Sequence, residues 1–215
     1  MAATSSSCDA AAELSVAAQV PFLHLCTTLE KIQKCKLRSE KSKFLRHFME
    51  SWRKFHDSLH KGLATTDSFH PAIIVPSFER ERVAYGIKED MLAELFIDVL
   101  GLPNNGPDAN KLLDYRAPTS AHGEAGDFAS MAYFILKKRC AGQHSLSIKG
   151  VNGFLDSVSE QKDRVRGSLR HLITQSSALE QKWLIRVISK DMKLGISEET
   201  ALQAFHPDAS ELYNV

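Results

Sequence analysis

The chain has 215 residues with 43% hydrophobic and 25% charged side chains, an ordinary globular composition that excludes wholesale disorder and fibrous classes. No apolar run approaches the roughly 18–20 residues of a membrane span, and no basic segment precedes an apolar core at the N-terminus, so neither a span nor a secretory signal is expected. The formal net charge is only +1, and Cys8, Cys26, Cys35 and Cys140 form no C-x-x-C pair, which suits a reducing compartment better than a disulfide frame or zinc site.

Along the chain, residues 1–18 are small and polar and are expected to be a flexible tail. Residues 19–215 then read as one helical domain. Phe22, Leu25, Leu29 and Ile32 share one helical face, and a longer segment from about Ser39 carries Phe44, Leu45, Phe48, Trp52, Phe55 and Leu59 at spacings of three and four. Gly62 ends it. Pro71 reads as the first position of a third helix bearing Ile74, Phe78 and Val83. A fourth runs from about Lys88 to Leu100 with Gly101 as its stop, and Pro107 opens a short fifth through Leu112 and Leu113. A turn-rich stretch, 117–126, precedes helices expected over 127–139, 147–158, 160–174, 177–193 and 197–205. No alternating run is flanked by hairpin turns, so the prediction is an all-α fold, an irregular bundle of about ten helices.

Charge is segregated along this sequence. Residues 31–61 carry ten Lys/Arg against three acids, and residues 162–195 carry eight against three, leaving −11 on the remainder. Two basic segments in a near-neutral chain outline a polyanion-binding face, with solvated helix faces as the bland alternative. Ser177 and Glu180 form a capping box that fixes a helix start. On that helix Lys182, Arg186 and Lys190 fall at i, i+4 and i+8, a basic line along one face. Lys193 is expected in its last turn and Gly195 at its left-handed C-cap. Lys162, Arg166 and Arg170 repeat the spacing one helix earlier, and two such lines could track a phosphate backbone.

The segment Glu180-Gln181-Lys182-Trp183-Leu184-Ile185-Arg186, followed by Lys190-Asp191-Met192-Lys193-Leu194-Gly195, resembles the N-terminal DNA-binding domain of eukaryotic ATP-dependent DNA ligases. Val20-Pro21-Phe22, Ser51-Trp52-Arg53-Lys54-Phe55-His56-Asp57, Ala84-Tyr85-Gly86-Ile87-Lys88-Glu89, Leu112-Leu113-Asp114-Tyr115-Arg116 and Gly126-Asp127-Phe128-Ala129 narrow the likeness to the ligases of non-homologous end joining. The likeness runs from about residue 20 to the last residue. It implies an all-helical, nuclear, double-stranded-DNA-binding domain, monomeric in isolation, that works beside nucleotidyltransferase and OB-fold domains using ATP and magnesium. The adenylated lysine of that chemistry sits in Lys-x-Asp-Gly, which these 215 residues lack. The segment alone is therefore expected to be inactive, to hold no cofactor and to have no catalytic residue.

Domains of this family touch DNA chiefly through turns between helices. The resemblance therefore nominates the turn at Lys193 and Gly195, and Gly123 and Gly126 before the helix near Asp127; the basic connector with Lys36 and Arg38 is a third candidate, beside Lys182, Arg186 and Lys190 from their spacing. Glycine lets backbone approach a phosphate, and a helix N-terminus can bind one of its oxygens. Glu124 and Asp127 oppose phosphate, and an ordinary N-cap is the alternative reading of Asp127.

Phe22 and Leu29 on one helix, with Phe48, Trp52 and Phe55 on the next, are either core or a peptide groove. The resemblance implies the groove, docking a peptide of the nuclease Artemis, and a purely protein-interacting scaffold is the alternative function. His56 and His60, at i and i+4, lack a third ligand nearby in sequence, so no metal site is expected.

Overall fold

A computed structural model of the chain describes residues 15–74, 85–117, 127–139, 146–160 and 165–206, together with 208, 209 and 211. Eleven helices lie among the described residues: α1 Val16–Gln19, α2 Phe22–Lys34, α3 Arg38–His60, α4 His70–Ile74, α5 Glu89–Val99, α6 Pro107–Leu113, α7 Phe128–Leu136, α8 Ile148–Glu160, α9 Val165–Gln175, α10 Ala178–Ile188 and α11 Glu198–Phe205. Their only β-pairing is an isolated bridge between Pro21 and Ser147. The fold is the all-α bundle expected. No described helix is long and apolar enough to cross a membrane.

The chain resolves into two compact units, residues 1–78, 147–152 and 193–215 in the first and 79–146 and 153–192 in the second. In the first unit α3 is the spine, contacted by α1, α2 and α11. The apolar period of α2 buries Phe22, Leu25, Leu29 and Ile32 as its spacing predicts, and α3 answers with Phe48, Met49 and Trp52. An aromatic cluster extends this core. The Trp52 ring lies 5.2 Å from that of Phe69 in an edge-on arrangement, and Phe69 stacks on Phe205 at 5.7 Å. Such geometries suit the ring quadrupoles.

The expected tail boundary at residue 18 moves toward the N-terminus. Ser15 caps α1 through its side chain, Val16 and Ala17 are buried, and the Val16 N–H donates to Asp67 Oδ2 at 2.7 Å. Two apolar side chains and one charge-assisted hydrogen bond hold this turn against α3.

In the second unit α10 packs on α7, α5 on α6 and α9, and α6 on α7. Gly101 takes φ +59° after α5, while the Leu102 N–H reaches Ile97 C=O at 2.9 Å and the Gly101 N–H reaches Asp98 C=O at 3.2 Å. Gly101 is the stop expected there, and these two bonds make it a Schellman motif. Asp108 accepts from Arg139 at 2.5 Å, and that guanidinium holds its carboxyl below the usual range. Burial pushes the Tyr115 phenol up.

Candidate nucleic-acid interface

The expected basic line on α10 is not a solvent-facing stripe. Every residue of this helix except Leu179 is buried, so no face of it meets water. Arg186 is 1% exposed. It donates from Nη2 to Asp127 Oδ2 at 2.6 Å and from Nη1 to the Asp191 C=O at 3.4 Å, with its guanidinium 5.6 Å from the Trp183 ring centre. Lys182 is also buried, its Nζ 5.6 Å from the Tyr133 ring and 5.7 Å from that of Trp183, within cation–π range. Asp127 sits at the N-cap of α7, as its alternative reading had it, but its side chain accepts from the Ser130 hydroxyl and Arg186 rather than from a helix N–H. Its charge still faces the positive end of the helix dipole.

The helix also stops earlier than its periodicity suggests. Ser189 is the C-cap of α10 and Lys190 takes the left-handed conformation, φ +55°. The Asp191 N–H bonds Arg186 C=O at 3.0 Å and the Lys190 N–H bonds Val187 C=O at 3.2 Å, the two reverse bonds of a Schellman motif. Lys190 and Lys193 therefore lie beyond the helix, not on its last two turns. Lys190 Nζ stands 5.4 Å from the Tyr85 ring. On α9, Arg166 and Arg170 are exposed but pair with Glu94 and Asp98 of α5. Lys162, Gly123 and Gly126 lie outside the described residues.

In the first unit Arg38 and the Lys193–Gly195 turn are brought to neighbouring parts of the fold. Lys36 and Arg38 at the entry to α3, and Lys193 and Gly195 in the turn before α11, are all exposed. Lys41, one turn into α3, is buried and donates from Nζ to the Leu194 C=O at 2.6 Å. Arg38 Nη2 donates to Thr200 Oγ1 at 2.6 Å, and Ser197 caps α11 by accepting from the Thr200 N–H at 3.2 Å. The turn is thus fixed at both sides. Lys193 is held in the left-handed region at φ +48°, uncommon for a residue with a Cβ, and Gly195 follows at φ +62°, which glycine adopts freely. A Cβ on Gly195 would come within 2.9 Å of Lys41 Nζ, so this position is restricted by backbone conformation and by space. Left-handed non-glycine residues cluster where surrounding structure holds them for function. Glu40, the acid in the first turn of α3, accepts from the Cys35 thiol at 3.2 Å.

Sequence reasoning missed Lys41 and Thr200. Lys41 meets its acceptor 153 residues away and Arg38 reaches Thr200 across 162; only the surplus of cations in 31–61 hinted at either.

The five residues nominated for a partner peptide do not form one open face. Phe22, Leu29, Phe48 and Trp52 are buried, and Phe55 alone is exposed, at 38%. Packing of α2 and α11 on α3 covers the others. Beside Leu29 and Phe48 remains an apolar cavity of about 60 Å³, also lined by Leu25, Met49, Phe69 and Leu202.

The sequence pattern of the DNA ligase N terminus matches residues 21–206. The chain belongs to the family of DNA ligase N-terminal domains. Within that family it is similar to DNA ligase 4: 58% identical over 209 residues to the protein of Homo sapiens and 56% to that of Gallus gallus, in each case across 94% of this chain. The Arabidopsis thaliana DNA ligase 4 is 37% identical over 203 residues. These likenesses support the N-terminal domain of DNA ligase IV, in agreement with the resemblance read from the motifs. The chain spans 23% of the length of the human and chicken relatives and 16% of the plant one.

Proposed function

We propose that this domain binds duplex DNA without sequence preference and positions broken ends for an ATP-dependent DNA ligase in nuclear double-strand-break repair. The observation that carries the reading is the braced turn of the first unit: exposed Lys193 and Gly195, held through Leu194 by buried Lys41, near Lys36 and Arg38. Such a turn offers phosphate a cation and a close backbone approach without ordering either at the moment of binding. Lys190, Lys182 and Arg186 then act from within the second unit by fixing the chain around α10, and Gly123 and Gly126 remain proposed contacts before α7. ATP and magnesium serve the parent enzyme, whose adenylation lysine lies elsewhere than in these residues; the isolated domain is monomeric and inactive.

The test is duplex affinity by fluorescence anisotropy at fixed salt. Lys193→Glu weakens binding to all duplexes alike, by on the order of tenfold, as loss of a phosphate contact with charge reversal does. Sequence-selective loss, or none, contradicts the reading.

A second reading concerns a partner. We propose that the α2–α3 pair docks a peptide of Artemis nuclease, favoured by the exposed Phe55 ring and the apolar cavity beside Leu29 and Phe48. Phe55→Ala then reduces binding of an aromatic-rich peptide while leaving thermal stability and DNA affinity near their starting values; unchanged peptide binding contradicts it. Aromatic anchors of this kind cost on the order of 2 kcal/mol when truncated.

A further inference from the structure

His56 and His60 share one face near the end of α3, an arrangement that by itself lacks a third ligand. The fold supplies one. Asp67, on the segment between α3 and α4, brings its carboxylate to His60, with Oδ2 at 2.9 Å from Nε2. The two imidazole rings lie 4.6 Å apart, and one ligand atom from each of the three residues falls within 4.8 Å of the others. Nitrogen–nitrogen–oxygen sets of this kind suit zinc and its neighbours, whose bonds of about 2.0–2.2 Å place tetrahedral ligand atoms roughly 3.4 Å apart. Seating an ion requires the His60 and Asp67 atoms, 2.9 Å apart, to part slightly and the His56 ring, 27% exposed, to turn toward them.

Two further observations separate this cluster from a chance surface grouping. The Asp67 carboxylate is oriented from behind: Oδ2 accepts the Val16 N–H at 2.7 Å and Oδ1 accepts the Ser68 N–H at 3.0 Å. His56 Nδ1 in turn faces Asp57 Oδ1 at 3.6 Å. Metal-ligating carboxylates are supported by outer hydrogen bonds like the two to Asp67, which set their direction and basicity; the His56–Asp57 contact is too long for one. His60 and Asp67 are also shielded, with side chains 14% and 8% exposed.

We propose that His56, His60 and Asp67 form a binding site for a divalent ion of the zinc class, with water completing the coordination. The metal takes the place of the hydrogen between His60 Nε2 and Asp67 Oδ2, and the neutral imidazole carries its one proton on Nδ1 instead. The site is structural: through Asp67 and Val16 it fastens α1 and the 63–68 segment to the end of α3.

The experiment is calorimetric titration of the chelator-treated chain with zinc chloride, with thermal unfolding at each zinc concentration and cobalt absorption as a report of geometry. One equivalent binds, the unfolding midpoint rises with zinc concentration as mass action requires, and cobalt gives the intense visible bands of a four-coordinate site. His56→Ala weakens zinc at least by the roughly 10–100-fold that loss of even an outer-shell partner costs, while His47→Ala, on the exposed side of α3, leaves it unchanged. Asp67→Asn has the same effect as His56→Ala where it folds; because Asp67 also holds Val16, His56→Ala is the decisive variant. Absence of saturable binding, several weak equivalents, or wild-type affinity in His56→Ala overturns the proposal.

Discussion

Arg186 and Lys193 are near neighbours in the chain and meet opposite surroundings. Arg186, on the all-buried α10 of the second unit, gives its charge to Asp127, the Asp191 carbonyl and the Trp183 ring. Lys193, in the turn of the first unit, is exposed in a strained conformation that Lys41 helps to hold. Helical spacing nominates Arg186 for phosphate, whereas the turn with Gly195 nominates Lys193. The difference teaches that a run of cations at helical spacing reports a charged face only when the helix has a face in water. Where it has none, the charges need internal partners, and desolvation makes those partners essential to the fold.

The sharpest way to break this comparison is to remove an internal partner. Asp127→Ala leaves Arg186 buried beside Ser130 with its principal anion gone, and costs on the order of 3–5 kcal/mol, the usual penalty for breaking a buried pair. Urea unfolding followed by circular dichroism measures it. A cost below about 1 kcal/mol, typical of exposed pairs, would place Arg186 with the solvent-facing cations after all.

A smaller effect is expected at the turn. Gly195→Ala puts a side chain at φ +62° and within 2.9 Å of Lys41 Nζ, destabilising the first unit by about 1–2 kcal/mol, the left-handed penalty for a residue with a Cβ. Because the turn is also the proposed DNA contact, duplex affinity falls with it. A loss of affinity at unchanged stability would shift the role of Gly195 from conformation to close approach of the phosphate.

The smallest effect belongs to the exposed Asp108–Arg139 pair of the second unit. Its hydrogen bond and charge lower the Asp108 carboxyl below the ordinary value in the folded chain. A lowered folded value means stability present above the unfolded carboxylate range, near pH 3.9, and lost as pH falls through the folded one. Arg139→Gln therefore slightly flattens the acid limb of a stability–pH curve below about pH 4 and leaves neutral stability within roughly 1 kcal/mol. A large loss at neutral pH would contradict its surface character.

Much of the fold was legible because period and punctuation act locally. The face of α2, the extent of α5, the Gly101 stop, the Pro107 start and the Ser177–Glu180 capping box all appear as read. The end of α10 was not, since the residue that turns left-handed is Lys190, a type that rarely does so, while Gly195 offered the conventional stop. The candidate site was legible only in part. Its exposed members, Lys36, Arg38, Lys193 and Gly195, lie in segments that charge and motif had marked. What joins them depends on Lys41–Leu194 and Arg38–Thr200, contacts between distant parts of the chain that no local spacing encodes. The partner nominations erred in the other direction: aromatic spacing on α3 marks Phe48 and Trp52 equally well for a groove and for the core they occupy.

The central claim is that DNA is contacted through the braced turn of the first unit and not through the paired arginines of α9. The most direct measurement is the salt dependence of duplex affinity for the wild-type chain, Lys193→Ala and Arg170→Ala. Log affinity against log salt falls by about 0.9 per phosphate contact; with about four contacts the wild-type slope is near −3.6. Lys193→Ala makes it shallower by about 0.9, while Arg170→Ala, which removes a side chain already paired with Asp98, leaves it within error. A slope that is unchanged in Lys193→Ala and shallower in Arg170→Ala contradicts the account.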